Sequence, residues 1–183
     1  MTNDLPGPAS SAEPAGEASF VRRPVDHPDA AWLLAAFYQE QRGRYGFADS
    51  VDLAPHEYLP PNGFFFVAYR HSRHSRPVGC GGCRWYDRAA ATVELKKTFV
   101  LPAARGQGIG NALLTCLEDA AVASGARRAI LETGVRNTAA LQLFTKFGYE
   151  PAERYVPGRD PAINRAFTKI LTGALLGPVR ATA

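Results

Sequence analysis

Three glycines alternate where a hydrophobic run gives way to a long apolar repeat, in Phe99-Val100-Leu101-Pro102-Ala103-Ala104-Arg105-Gly106-Gln107-Gly108-Ile109-Gly110-Asn111-Ala112. The order strand, glycine loop, helix suits anion binding. The first N–H groups of a helix lack intrahelical partners, and the aligned peptide dipoles place about half a positive charge there. Glycine lets backbone approach a phosphate closely, and Arg105 adds a forked donor at the loop's edge. A nucleoside-triphosphate loop would end in Gly-Lys-Ser/Thr, whereas Gly110 is followed by Asn111-Ala112. A dinucleotide fingerprint needs G-x-G-x-x-G, and here the third glycine falls one position early. A plain helix cap would need neither three alternate glycines nor the arginine.

Other residue types able to do chemistry give weaker signals. Cys80-Gly81-Gly82-Cys83 has metal-ligand spacing, but only Cys116 remains to complete a site, and a structural zinc usually needs a second pair. In a strand, residues three apart lie on opposite faces, so these cysteines read as packed strand residues. His71 and His74 have no carboxylate or cysteine cluster nearby in sequence, so no metal is expected. The run Arg70-His71-Ser72-Arg73-His74-Ser75-Arg76 reads as a solvated hairpin tip.

The elements that must position the loop follow from periodicity. Strands are expected over 20–23, 63–70, 78–86, 93–101, 129–133, 152–156 and 164–171. A helix capped by Asp29 should run to Arg42 with Trp32, Leu33, Ala36 and Phe37 on one face, Trp32 and Phe37 reading as core. A short helix fits 55–59. Ile109, Leu113, Leu117 and Ala121 recur every four residues and define a helix over 108–124, ended by Gly125. Another helix spans 138–147 and stops at Gly148. Hairpins, then a βαβ crossover, then a closing hairpin make a mixed α/β (α+β) sheet with helices on its faces rather than a doubly wound parallel one.

Composition sets the bounds. The chain has 183 residues, 46% hydrophobic and 21% charged, which excludes wholly disordered, coiled-coil and collagen-like classes. The net charge of +4 is too mild to argue for nucleic acid. It divides unevenly: Asp4, Glu13 and Glu17 make residues 1–19 acidic, while all 21 bases, 17 of them Arg, fall after that segment. Residues 1–19 carry little that can be buried and are expected to be a disordered tail, with one domain over 20–173 and a second tail over 174–183. No stretch reads as a signal peptide or a membrane span, and three cysteines suit a reducing compartment. The expectation is therefore a cytoplasmic protein with no membrane partner.

Arg105-Gly106-Gln107-Gly108-Ile109-Gly110 resembles the (Gln/Arg)-x-x-Gly-x-(Gly/Ala) signature of the GNAT N-acetyltransferase superfamily. Glu94-Leu95-Lys96-Lys97-Thr98-Phe99-Val100 is similar to the strand that precedes that signature. Asn137-Thr138-Ala139-Ala140-Leu141-Gln142-Leu143-Phe144-Thr145-Lys146-Phe147-Gly148-Tyr149 is similar to the segment that follows it. The resemblance covers about residues 93–155. It implies a fold whose mostly antiparallel sheet contains a splayed parallel strand pair, and acetyl-CoA as cosubstrate. Backbone N–H groups of Arg105, Gly106, Gln107, Gly108, Ile109, Gly110 and Asn111 would hold the pyrophosphate. Phe99 and Val100 would meet pantetheine, with the Val100 N–H on the thioester carbonyl. Asn137, Ala140 and Phe144 would line the other wall.

By the same resemblance Glu94, eleven residues before Arg105, is the expected base. Its alternative is a strand-edge ion pair with Arg84 or Lys96, and Glu132 is the second carboxylate to consider. Many relatives carry a tyrosine acid where this chain has Phe144. Water or another tyrosine such as Tyr155 would then serve, or the thiolate leaves unaided. Trp32, Phe37, Tyr38, Tyr45, Phe47 and the 157–163 segment with Asp160 fall where the family shapes its acceptor pocket, although Trp32 and Phe37 also read as core. The implied partner is a small-molecule or peptide amine, with no nucleic acid; a homodimer is compatible. The competing reading is a catalytically weak CoA-binding sensor or scaffold.

Overall fold

The computed structural model describes residues 18–48, 54–70 and 76–172. Its elements are β1 (Ala18–Arg22), α1 (Pro28–Tyr45), a 3₁₀ turn (Pro55–Tyr58), β2 (Gly63–Arg70), β3 (Arg76–Asp87), β4 (Thr92–Val100), a 3₁₀ turn (Pro102–Ala104), α2 (Ile109–Ala123), β5 (Arg128–Gly134), α3 (Thr138–Lys146), β6 (Glu150–Ala152) and β7 (Asn164–Ile170). The seven strands form one sheet in the order β1-β2-β3-β4-β5-β7-β6. Every neighbouring pair is antiparallel except β4 and β5. The sequence expectation of a mixed sheet with one parallel pair is thus met.

Alternation along the strands sends side chains to two separate cores. On one face Val93, Leu95, Leu131 and Phe167 pack with Leu113 and Leu117 of α2 and Phe144 of α3. On the other, Phe65, Val67, Cys80 and Phe99 pack with Leu33, Leu34 and Tyr38 of α1. β2 is buried along nearly its whole length because both layers cover it, which is why its sequence is a continuous apolar run. Cys80 and Cys83 fall in opposite cores, as their spacing requires.

Several expectations need correction. β1 already includes Ala18 and Ser19, paired with Arg70 and Tyr69, so ordered strand starts inside the expected tail. The remainder of that tail, the C-terminal tail and most of the basic hairpin tip lie outside the described residues. Trp32 is not core: it is 54% exposed. The buried stripe of α1 runs Ala30, Leu33, Leu34, Tyr38, which turns Trp32 outward. The cap of α1 is His27, whose Nδ1 accepts from the Asp29 N–H. Asp29 itself accepts from the Tyr69 hydroxyl at 2.6 Å. β6 is short and ends at Ala152 rather than running to Val156, because the chain leaves the sheet edge to carry Tyr155 back toward β4.

Gly63, at the start of β2, meets the tightest backbone approach on this edge. A Cβ there would lie 2.3 Å from both the Cys83 and the Glu57 carbonyl oxygens. Both are main-chain atoms and cannot rotate away. Overpacking against fixed atoms costs typically 1–3 kcal/mol, so Gly63→Ala is expected to destabilise the fold by about 3 kcal/mol. Urea denaturation should show a lowered midpoint at unchanged slope; an unmoved midpoint would mean the β2 edge relaxes freely.

Candidate active site

β4 and β5 pair over only three positions, Thr92–Arg128, Val93–Ala129 and Glu94–Ile130, and then diverge. Each strand is held by its outer neighbour. β5 pairs with β7 along its full length, while β4 follows β3 as far as Val100. β4 is also bulged: its register against β3 shifts between Cys80 and Gly82, and Lys97 takes φ +57°. The result is a V-shaped gap with Glu94 at its vertex. Beyond the vertex β4 and β5 present facing edges that no longer bond each other, and backbone groups in such a place require a partner. With the Leu101 N–H bonded to Val78 O, ladder alternation turns the Val100 N–H and C=O to the open side.

The gap is a cavity of about 470 Å³, a size suited to a small-molecule ligand. Every residue assigned above to acetyl-CoA or to the base lines it except Gln107; of the other residues considered, Phe37, Tyr45 and Glu132 line it, while Phe47, Tyr155 and Asp160 do not. Gln107 lies on the outer side of the loop, where its side chain meets Arg70. Gly106 and Gly108 have φ of +75° and +79°, and Gly108 is the N-cap of α2. No side chain caps this helix and no acid lies in its first turn, so its N-terminal field is uncompensated from within. A Cβ on Gly106 or Gly108 would meet nothing within 4 Å, so the space over the loop is open. The Arg105 N–H is used internally, on Pro102 O.

Arg105 does not reach over that space. Its Nε donates to Val100 O at 2.9 Å, its Nη2 to Glu40 Oε2 at 2.6 Å, and its guanidinium lies over the Phe99 ring. It fastens the glycine loop to α1. Glu40, which also accepts from Arg44 at 2.6 Å, was not singled out from sequence. It belongs to a stripe on α1, Phe37, Glu40, Gln41, Arg44 and Tyr45, that lines the cavity at helical spacing. The signal was present as a periodicity, but the stripe is mostly polar.

The Glu94 side chain is 2% exposed. Its Oε2 accepts from Arg84 Nε at 2.9 Å and Nη2 at 2.8 Å. Its Oε1 accepts from Lys96 Nζ and from the Tyr155 hydroxyl, each at 3.0 Å. It is thus ion-paired with Arg84 and Lys96, as the alternative reading expected, and it also lines the cavity. Burial pushes its carboxyl up, but Lys96 and Arg84 outweigh that and hold it below the usual range. Burial and the Glu94 charge push the Tyr155 phenol well up, so it stays protonated and donates. Arg84 also bridges to Glu57. Glu132, on β5 past the vertex, has Arg159 Nε 3.8 Å from its Oε2.

On the opposite wall Asn137 caps α3 without a side-chain bond, and Ala140 and Leu143 face the gap. Phe144 is 5% exposed and packs edge-on against Tyr149. It makes an apolar wall and can supply no proton.

Comparison with known proteins agrees with this geometry. The model of the acetyltransferase (GNAT) family matches residues 28–149. A curated relative, the IAA acetyltransferase of Azospirillum brasilense, is 39% identical over 90 residues; the match covers 49% of this chain and 58% of that relative. The chain thus matches little more than half of that relative's length. The structure of a proposed acyl-CoA N-acyltransferase from Klebsiella pneumoniae superposes with TM-score 0.71 at 25% identity, covering 85% of this chain and 98% of that one. A GNAT family acetyltransferase from Elizabethkingia anophelis, solved with acetyl-CoA bound, shares the fold with TM-score 0.60 at 20% identity, covering 84% and 98%.

Proposed function

This chain belongs to the acetyltransferase (GNAT) family, and from that membership we propose that it transfers the acetyl group of acetyl-CoA to an amine by direct attack in a ternary complex. The observation that carries the proposal is the splay of β4 from β5 directly after Glu94, continuous with an uncapped helix N-terminus. Acetyl-CoA supplies a thioester-activated acetyl group. The residues present fit such a molecule: open backbone edges for its pantetheine amides, and an open glycine loop for its pyrophosphate. Gly106, Gly108, Ile109, Gly110 and Asn111 would cradle the pyrophosphate through their backbone. The Val100 N–H would stabilise charge developing on the thioester oxygen. Asn137, Ala140 and Phe144 would close the far wall.

An alkyl ammonium has a pKa near ~10.4 and cannot attack until it loses a proton. Glu94 would take that proton through a water, since so buried a carboxylate is reached more easily by water than by the acceptor itself. Lys96 and Arg84 keep it ionised and ready to accept. The missing hydroxyl at Phe144 is tolerable because a thiol pKa near ~8.5 makes thiolate a fair leaving group unaided. The acceptor would approach from the α1 side, past Arg44 and Tyr45.

The deciding experiment is CoA-thiol release across a panel of primary amines, alongside acetyl-CoA binding. Turnover with a member of the panel is expected. Tight binding with no transfer to any amine would replace the enzyme with a CoA-binding module, the reading that Phe144 motivates. A finer prediction concerns Lys96. Removing that cation lets the Glu94 carboxyl rise toward its ordinary value. Activity is lost as pH falls through the pKa of the base, so the acid limb of kcat/KM in Lys96→Met should move to higher pH. The alkaline limb, set by the acceptor amine, should stay. An acid limb that does not move would remove Glu94 from the proton path.

A further inference from the structure

β2 and β3 end their ladder at Arg70 opposite Arg76. Two like charges directly across a strand pair repel and destabilise the sheet. Among the described residues neither arginine has a carboxylate partner. Arg70 is held in place: one of its terminal nitrogens donates to Gln107 Oε1, in the glycine loop between Gly106 and Gly108. Its Nε is buried with no acceptor among the described residues. A guanidinium nitrogen buried without a partner costs free energy that an anion would recover.

The position of this pair follows from the topology. The same end of the sheet carries the Gly79–Val100 pair, where β4 passes into the glycine loop. Arg70 therefore meets the loop from its outer side, while the cavity lies on its inner side. The pantetheine arm occupies the inner side, so the nucleotide end of the same molecule must leave the loop outward. Arg105 cannot follow it, because its guanidinium is turned inward onto Glu40 and Val100. The pyrophosphate is served by neutral backbone N–H groups. That leaves the ribose 3′-phosphate, a monoester with nearly two negative charges at neutral pH.

We infer that Arg70 and Arg76 form the binding site for the 3′-phosphate of CoA, the anion relieving their mutual repulsion and accepting from the orphaned Arg70 Nε. This makes the Arg70–Arg76 end of the β2–β3 ladder part of the cosubstrate site and a device for distinguishing CoA from its dephospho form. The inference rests on the acetyl-CoA reading above.

The test measures binding of acetyl-CoA and acetyl-dephospho-CoA by calorimetry to the full chain and to Arg70→Ala, Arg70→Lys and Arg76→Ala, with circular dichroism melts to confirm folding. The parent should prefer acetyl-CoA by about tenfold, the worth of one good charge-assisted contact. Arg70→Ala should lose most of that preference by weakening acetyl-CoA alone, with dephospho binding changed less than twofold. Arg76→Ala, at an exposed ladder end, should lose part of it, and Arg70→Lys should restore part of it. Equal weakening of both ligands would mean that Arg70 only shapes the loop through Gln107. That outcome, or no weakening of either, overturns the inference. If the parent binds neither ligand, the acetyl-CoA reading itself falls.

Discussion

Glu94→Gln is expected to lower kcat by a factor on the order of 10² to 10⁴, the range over which a positioned base contributes, while acetyl-CoA affinity changes less than twofold. The amide is nearly isosteric, so the vertex of the β4–β5 gap keeps its shape. Arg84 retains its bond to Glu57, and both Arg84 and Lys96 are partly open to solvent, so neither cation becomes a buried orphan. The variant should fold, with reduced stability whose pH dependence has a definite sign. The Glu94 carboxyl is held below its ordinary value of 4.5 in the folded chain. Its contribution to stability is therefore complete above that pH and fades as pH falls through the lower, folded value. The difference in stability between parent and variant should shrink over that acid window.

A purely structural ion pair would also lose stability on this substitution, so the rate needs a readout of its own. An acceptor amine whose pKa lies well below the assay pH arrives already deprotonated and needs no base. The variant's deficit should then be much smaller with such an amine than with an alkyl amine, and the acid limb of the pH profile should vanish. If kcat with an alkyl amine stays within threefold of the parent, Glu94 is an ion-pair residue and no more.

What could be read from the chain depended on how local each signal was. The glycine loop was legible because positive φ at Gly106 and Gly108 and the apolar repeat of α2 are written in consecutive residues. The mixed character of the sheet was legible because a βαβ crossover among hairpins allows few arrangements, whereas the spatial order of its strands was not. The fate of Arg105 was not legible. Its partner Glu40 lies 65 positions away on a helix whose cavity face is polar, so periodicity of apolar residues passes over it. Trp32 failed for a related reason: α1 has apolar residues on more than one side, and only packing against β2 and β3 chooses which side is buried. The convergence of Arg84, Lys96 and Tyr155 on one carboxylate joins β3, β4 and the link between β6 and β7. Two of these partners could be named from sequence as ion-pair alternatives. That all of them meet at the point where two strands part could not, because the bulge at Lys97 and the divergence of β5 are tertiary outcomes.

Gly108→Val should raise the dissociation constant for acetyl-CoA on the order of a hundredfold or more, with a much smaller effect on the unliganded fold. Gly108 holds φ +79° as the N-cap of α2. A side chain in that left-handed conformation costs roughly 1–2 kcal/mol, and a β-branched one sits there worst. The fold itself opposes the substitution only through that term, since a Cβ would meet no protein atom within 4 Å. Without ligand, the expected result is a melting temperature lowered by a few degrees. With ligand, two further losses arise. The valine methyls occupy the space over the loop that the pyrophosphate would need. Any relaxation of the backbone away from positive φ re-aims the N–H groups of Ile109, Gly110 and Asn111, each worth about 1.5–3 kcal/mol as a bond to a charged acceptor. Two such losses correspond to a hundredfold or more. Gly108→Ala should fall between parent and valine variant, because it carries the conformational cost with less bulk. Calorimetric titration with acetyl-CoA checks the series, and thermal melts without ligand separate folding from binding. Equal affinity in all three proteins would mean that the phosphates bind elsewhere and that the glycine loop serves only to start the helix.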